Sequence, residues 1–443
     1  MILFLALRGA LVAVVTIAGG SRAYGNWARK KIKSVHGAKI LTCLLGIVIF
    51  IDDYFNCLTV GTVMRPVTDK FGISRAKLSY LIDATAAPVC IIAPISSWAV
   101  AVAGNIGLDN SFSLFVQAIP YNLYALLTIG MLLVVCLTNF DFGPMKKAEE
   151  EAKRQLEENS DDDEVDFDGI KPSKNGRVLD LVIPIFVLIV FSILGMAYVG
   201  GFFSGGIGFA EAIGEDPIIG LSIGAFCALL VAALLYIPRK TISFRGFMDG
   251  IVKGVKSMVP AIMILTLAWS LSGICRDMIG TGPFVADLVS QMASSSGNLV
   301  FRLLPAIVFA LAAFLSFSMG TAWGTFGILL PIVIPICTAA PAGMTVLLPT
   351  IGATLAGSVY GDHCSPISDT TILSSAGAKC SHLLHVSTQI PYATFVAAIC
   401  FVGYLVAGLC ANVWLPLLVS FALLFGTTFL ISRIQKKNPK TAA

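Results

Sequence analysis

Apolar runs of about 20 residues recur along this chain and are separated by polar turns. A run of this length can cross the hydrocarbon core of a bilayer as an α-helix, which satisfies its own backbone hydrogen bonds. Two further runs, near 40–64 and 78–104, are interrupted by polar residues, and an apolar run also opens the chain at 2–19. The pattern predicts an all-α polytopic membrane protein with roughly ten to twelve membrane segments. The uninterrupted runs lie near 117–138, 179–200, 217–237, 256–275, 299–319, 324–338, 342–360, 386–410 and 412–432.

Charged residues are few and unevenly distributed. Only 13% of the 443 residues are charged, which is about half of the fraction usual in soluble domains. Lys and Arg are absent between Lys77 and Lys146 and between Arg177 and Arg239, and each gap contains two apolar runs. Because Lys and Arg concentrate in cytoplasmic loops, each gap predicts a helical hairpin that begins and ends on the cytoplasmic side of the cell membrane.

One hydrophilic stretch, residues 145–177, divides the chain. Its centre is rich in acidic residues and poor in apolar ones, so we expect a disordered cytoplasmic linker. Residues 1–144 then form a first membrane repeat, and residues 178–432 form a second repeat with additional scaffold helices. Residues 433–443 form a basic tail, which we also expect on the cytoplasmic side.

Both membrane parts contain two interruptions in the same order. A polar break within one apolar run, at 51–61 and at 318–327, precedes a second break that contains Pro-Ile-Ser, at 94–96 and at 366–368. The matched order indicates an internal duplication. Paired broken helices in corresponding positions of two halves are the best sequence indicator of a transporter binding site.

Proline and acidic residues make these breaks suitable for binding. Pro94 and Pro366 each remove a helical hydrogen bond, so a half-helix can begin after each proline, with Ser365 as the cap before Pro366. The free N–H groups of such a half-helix suit an anionic group, whereas carbonyls and carboxylates suit a cation. Carboxylates within membrane segments are costly and are therefore functional candidates. They are Asp52, Asp53, Asp83, Asp362 and Asp369.

Several of these residues have a second explanation that the sequence leaves open. Asp83 is explained equally well as a structural residue near the membrane interface. An interfacial pair facing water is the alternative for Asp52 and Asp53, and Asn56, on the same helical face as Asp52, argues against it.

Five other side chains are candidates for functional roles. Trp323 either lines a substrate cavity or fills a gap between closely packed helices. His382 and His385 are expected at a membrane boundary beside Lys379. His363 and Cys364 are adjacent, but they lack the further ligands at suitable spacing that a zinc site requires.

Three stretches resemble signature regions of the NhaC-type Na⁺/H⁺ antiporter family, namely residues 51–98, 320–332 and 361–393. The resemblance extends over nearly the whole chain apart from the acidic linker. It implies a secondary active transporter with two inverted repeats, broken helices and re-entrant hairpins. It also implies exchange of Na⁺ and H⁺, or coupling of either ion to a small organic acid or amino acid. Family members usually have further membrane segments before a region like 7–28, so the resemblance implies a first repeat that is shortened at its N-terminus.

The resemblance also implies two groups of site residues by their positions in these stretches. The ion- and proton-binding group contains Asp52, Asp53, Asn56, Asp362 and Asp369, with Na⁺ at Asp362 and Asp369. The substrate-binding group contains Ser96, Ser97, Thr321, Trp323, Gly361, His363, Ser365, Ser368 and Thr370.

We therefore expect alternating access at a carboxylate site near the middle of the lipid bilayer. Na⁺ and H⁺ are the expected ions, no cofactor or nucleic-acid partner is expected, and association into homo-oligomers is left open. An ion channel and a membrane-embedded enzyme that uses Asp362, His363 and Ser365 are the alternative classes. No nucleophile motif or metal-ligand set supports the enzyme.

Overall fold

A computed structural model describes most of the chain. The described residues are 2–50, 53–94, 96–106, 108, 111–138, 140–158, 173, 175–209, 212, 217–274, 278, 298–338, 341–410 and 412–437. Asp52, a predicted ion ligand, and the acidic centre of the linker lie outside them. The backbone of Ser97 is described, but its side chain is not.

Helices make up most of the described residues, and no β-strand occurs among them. In chain order the helices are α1 (Ile2–Ile17), α2 (Gly20–Lys31), α3 (Val35–Val48), α4 (Asp53–Lys70), α5 (Arg75–Thr85), α6 (Ala87–Cys90), α7 (Ser97–Ile106), α8 (Ser111–Ala118), α9 (Leu123–Leu137), α10 (Gly143–Glu158), α11 (Leu179–Val199), α12 (Pro217–Tyr236), α13 (Phe244–Gly273), α14 (Asn298–Met319), α15 (Ala322–Thr338), α16 (Pro341–Met344), α17 (Leu347–Cys364), α18 (Asp369–Ala378), α19 (His382–Leu409) and α20 (Trp414–Lys437).

Several of these helices are long and apolar enough to cross a membrane. In the described part of the chain five helices meet that condition, and a sixth span results if α8 and α9, which are bent by 44° with a 3₁₀ turn between them, count as one. The predicted class, an all-α polytopic membrane protein, is confirmed. The count of ten to twelve segments and the inverted repeats stay predictions.

Helices end and restart around each predicted break, between α3 and α4, α6 and α7, α14 and α15, and α17 and α18. Gly320, between α14 and α15, has a φ of +67°, a backbone conformation that glycine adopts without steric cost. The first break is narrower than predicted, because α4 is helical from Asp53 onward. The cap predicted at Ser365 is wrong. Ser368 caps α18 by accepting from the Thr371 N–H group, and Pro366 stays outside the helix.

Two buried apolar clusters organise the helices. One joins α9, α14, α15, α17 and α19, the other joins α1, α4, α11, α12, α13 and α18, and α5 contributes to both. Glycines let particular helix pairs approach closely, as where Gly61 of α4 meets Gly377 of α18. The breaks between α3 and α4 and between α17 and α18 therefore lie where the two clusters meet.

Candidate functional site

Three carboxylates are buried where the broken helices meet. Asp53 begins α4, Asp362 lies in the last turn of α17, and Asp369 begins α18. Their exposed fractions are 1%, 1% and 5%. The charge of Asp362 interacts with those of Asp53, Asp83 and Asp369. The structure thus brings together three of the predicted ion ligands and adds Asp83, which the sequence left undecided.

Asp369 accepts a hydrogen bond at each of its carboxylate oxygens. Its Oδ1 accepts from the Thr370 N–H at 2.9 Å, and its Oδ2 accepts from the Tyr54 hydroxyl of α4. Asp369 also occupies the first turn of α18, where the partial positive charge of a helix N-terminus stabilises a carboxylate. The hydroxyls of Ser368 and Thr370 lie 3.1 Å apart beside it, so the predicted substrate-binding pair belongs to the same corner of the site.

Asp362 is less well satisfied. Its Oδ1 is buried without a hydrogen-bond partner, which is costly for a carboxylate oxygen unless a cation or a proton compensates. Arg8 on α1 is a buried basic residue close enough to interact electrostatically with Cys57 of α4. Cys57 also interacts with the charges of Asp53 and Asp83, so Arg8 lies in the same region as these two carboxylates.

Asp83 is the centre of a second buried polar cluster. Its Oδ2 accepts from Gln389 Nε2 at 2.6 Å and from His385 Nε2 at 3.2 Å, and His363 Nε2 lies 3.9 Å away. His363 Nδ1 lies 2.8 Å from the Tyr124 hydroxyl. The cluster joins α5, α9, α17 and α19, and it connects to the carboxylates through the charge of Asp83.

Sequence reasoning missed most of this second cluster. His385, expected at a membrane boundary, is fully buried and lies against Asp83 of α5. Gln389, Tyr124 and Tyr54 were not predicted. Their sequence signal is weak: His385 and Gln389 are polar and one helical turn apart in an apolar run, which indicates a polar face.

Asn56 connects three helices. Its Nδ2 donates to the carbonyls of Gly46 at 2.6 Å, Thr85 at 3.0 Å and Ile49 at 3.3 Å. These bonds fasten α4 to α3 and to the end of α5. An ion would have to use its Oδ1, which is buried without a hydrogen-bond partner.

Three other predicted residues form hydrogen bonds at the breaks themselves. Ser96 caps α7, with its Oγ 3.2 Å from the Ala99 N–H. Ser365 donates to the Phe317 carbonyl at 2.7 Å and so ties α17 to α14. Thr321 Oγ1 lies 3.3 Å from the N–H of Gly324 at the start of α15.

Trp323 and Gly361 contribute to helix packing. The ring of Trp323 lies 5.3 Å from that of Trp98, between centroids, so α15 packs on α7 through indoles. Its Nε1 is buried without a hydrogen-bond partner, which leaves the predicted cavity-lining role open. A Cβ at Gly361 would lie 2.6 Å from the Phe317 nitrogen, so glycine is needed where α17 crosses α14.

The described residues contain no group of three or more His, Cys, Asp and Glu side chains arranged to hold a metal ion. A monovalent cation near Asp362 and Asp369 would therefore be held mainly by one or two carboxylates with hydroxyl and carbonyl oxygens. The hydroxyls of Ser368 and Thr370 supply oxygens of that kind.

Comparison with known families supports a transport protein. A model of the family described as "Na+/H+ antiporter family" matches residues 99–409. The match includes Asp362, Asp369 and the α19 residues of the second cluster, whereas Asp53 and Asp83 precede it.

Three curated proteins resemble the chain. An uncharacterized protein of Haemophilus influenzae is 42% identical over 431 residues, which cover 92% of this chain and 78% of that protein. The malate-2H(+)/Na(+)-lactate antiporter of Bacillus subtilis is 31% identical over 38% of this chain and 34% of its own length. The arginine/ornithine antiporter ArcD of Halobacterium salinarum is 34% identical over 37% of this chain and 32% of its own length.

Proposed function

This chain belongs to the Na⁺/H⁺ antiporter family and is a multi-pass membrane transporter, and from that premise we propose that it exchanges Na⁺ for H⁺. The observation that carries the proposal is the buried meeting of Asp53, Asp362 and Asp369 at two helix breaks. The proposed site lies near the middle of the lipid bilayer, as expected for paired broken helices.

Charge balance explains why such a site exchanges ions. Several interacting carboxylates in a low-dielectric interior are not stable together as free anions, so each state of the site contains Na⁺ or protons as compensating charge. Na⁺ and H⁺ then compete for the same oxygens. Release of one favours binding of the other, which is the requirement for coupled antiport.

We assign the cation to Asp362 and Asp369, with the Ser368 and Thr370 hydroxyls as further ligands. Asp362 Oδ1 is a buried oxygen that lacks a hydrogen-bond partner, and Asp369 is preorganised by Tyr54 and by the start of α18. The Asp83 cluster offers a second acceptor for protons, since the nitrogens of two imidazoles lie 3.2 and 3.9 Å from the Asp83 carboxylate there.

Alternating access would move the elements that carry these ligands relative to the rest of the helices. α18 is short, begins at a break and is fastened to α4 by Tyr54 and by glycine packing, so α4 and α18 would move as one body. In this proposal the inverted repeats, which the sequence predicts, supply the two equivalent orientations.

The test uses purified protein in proteoliposomes with an acidic lumen and a pH-sensitive dye. Addition of NaCl or LiCl should dissipate the pH gradient, whereas choline chloride should not. Asp362→Asn and Asp369→Asn should each lower the rate by at least about tenfold while the protein stays folded. Asp249→Asn, an exposed aspartate of α13, is the matched control and should behave as the wild type.

Two outcomes contradict the proposal. In the first outcome, neither Na⁺ nor Li⁺ dissipates the pH gradient in liposomes with the wild type. In the second, Asp362→Asn and Asp369→Asn both retain the wild-type rate of exchange. Either outcome would place the ion site, or the exchanged ions, elsewhere.

Exchange of an organic solute is the second candidate function. It is favoured by the names of two relatives, an antiporter of malate and lactate and an antiporter of arginine and ornithine. Counterflow of radiolabelled malate, lactate, arginine and ornithine in the same liposomes distinguishes it from exchange of Na⁺ and H⁺ alone.

A further inference from the structure

A cavity of about 130 Å³ lies between α1, α4, α13 and α18, apart from the carboxylates. Its polar lining comes from Thr62 and Arg65 of α4, Ser257 of α13, and Lys379 at the end of α18. A water molecule occupies about 30 Å³ in the liquid, so the space suits a carboxylic acid of three or four carbons.

Arg65 is the residue that indicates a ligand. It is only 5% exposed, it lines the cavity, and its Nε is buried without a hydrogen-bond partner. A buried guanidinium donor that stays unpaired is unfavourable, and a carboxylate satisfies Arg with two parallel hydrogen bonds. Asp69, one turn further along α4, pairs with Arg75 at 3.7 Å and interacts with Arg65 only through its charge.

The charge around the cavity favours an anion. Arg65, Lys379 and Arg75 contribute three positive charges, whereas Asp69 contributes one negative charge. The carbonyl oxygens at the end of α18 would disfavour an anion. The backbone N–H group of Lys379 donates to two of them and so satisfies these oxygens. Of these charged residues, Arg65 and Lys379 line the cavity itself, and its described lining contains no Asp or Glu.

Two hydroxyls complete the lining. Thr62 Oγ1 donates to the Leu58 carbonyl at 2.8 Å, and Ser257 Oγ donates to the Gly254 carbonyl at 2.8 Å. Each hydroxyl can rotate away from its own helix and donate to a carboxylate oxygen in the cavity, because the helix does not require that bond.

The cavity lies on the same two helices as the cation ligands. Tyr54 reaches Asp369 near the start of α4 and α18, and Gly61 abuts Gly377 near the end of α18, so the two helices run in the same direction. Gly377, which lines the cavity, lies eight residues after Asp369, or about 12 Å along α18. An anion in the cavity and a cation at Asp369 would therefore both contact the body formed by α4 and α18.

We infer that this cavity binds the carboxylate group of a small organic anion, with Arg65 as its main cationic ligand. The inference deepens the proposed transport function, on which it rests, by naming a substrate class. It adds a site for an anion to the site for cations, so that one protein can couple the movement of both.

The experiment is ligand binding by the purified full-length protein in phosphatidylcholine nanodiscs, followed by thermal shift and calorimetry. L-malate and L-lactate are the probes, inorganic phosphate is the anion control, and NaCl is titrated separately. We expect malate or lactate to raise the Tm of the wild type. Arg65→Gln should weaken that binding by at least about tenfold, whereas Arg245→Gln, an exposed arginine of α13, should leave it unchanged.

Further variants keep the result readable if Arg65→Gln does not fold. Arg65→Lys retains the charge and Ser257→Ala removes one hydroxyl, and each should weaken binding by about threefold or more. The inference is overturned if Arg65→Gln binds malate within about twofold of the wild-type affinity. It is also overturned if the wild type binds phosphate more tightly than malate, or if phosphatidylglycerol displaces malate. A wild type that binds Na⁺ but neither carboxylate overturns this inference alone, whereas one that binds a carboxylate but not Na⁺ contradicts only the proposed Na⁺ site.

Discussion

Replacement of Gly61 by alanine tests whether the close approach of α4 and α18 holds the carboxylate site together. A Cβ at position 61 would lie 2.7 Å from the carbonyl oxygen of Gly377 and 2.8 Å from its Cα, and both distances are shorter than an ordinary van der Waals contact of 3.4–4 Å. Both neighbours are backbone atoms, which cannot rotate away as a side chain can. The two helices must therefore separate by roughly 1 Å.

Two effects of opposite sign set the magnitude. Overpacking costs about 1–3 kcal/mol, whereas alanine in place of glycine within a helix gains about 0.5–1 kcal/mol. The free energy of unfolding should therefore fall by up to about 2.5 kcal/mol. A separation of this size also loosens the Tyr54–Asp369 hydrogen bond between the same helices, so Na⁺-dependent exchange should fall by at least about tenfold.

The assays are denaturation by SDS in mixed micelles and Na⁺-driven proton movement in proteoliposomes. Gly426→Ala is the matched control, because no atom lies within 4 Å of a Cβ added at that position of α20. This control should be as active as the wild type and slightly more stable. The reasoning is refuted if Gly61→Ala matches Gly426→Ala in both stability and exchange.

Two predictions concern other buried polar contacts. Asp141→Asn should destabilise the protein by about 2–4 kcal/mol in SDS denaturation, because it leaves the Lys77 ammonium, which is 1% exposed, without its carboxylate partner. Unchanged stability would contradict a stabilising role of this ion pair. Asp83→Asn should cost about 1.5–3 kcal/mol and slow exchange, because Gln389 and His385 lose a charged acceptor. Stability and exchange rates equal to those of the wild type would exclude Asp83 from the site.

Features that depend on local chemistry were predictable from the sequence. The apolar runs identified the membrane class, and proline, glycine and serine located the breaks, because each acts on the backbone within a few residues. The exact cap was not predictable, since Ser365 and Ser368 are both good capping residues next to Pro366. The structure uses Ser368 for the cap and turns Ser365 toward the Phe317 carbonyl.

The membership of the site depended on distant parts of the chain. Asp53, Asp362 and Asp369 were predicted because a carboxylate in an apolar run is costly wherever it lies. The role of Asp83 was undecided and His385 was assigned to a boundary, since each has its partner 302 residues away. Local composition contains no information about such a contact.

The sequence by itself determined that this protein lies in a membrane, where its helices break, and which acids are costly there. The lipid environment acts on individual residues and short stretches of the chain, so these features can be predicted without knowledge of the fold. Tertiary packing alone decided that Tyr54 meets Asp369 across 315 residues and that Arg65 faces a cavity. Such contacts follow from the direction in which α4, α18 and α19 pack, which many separate side chains set together.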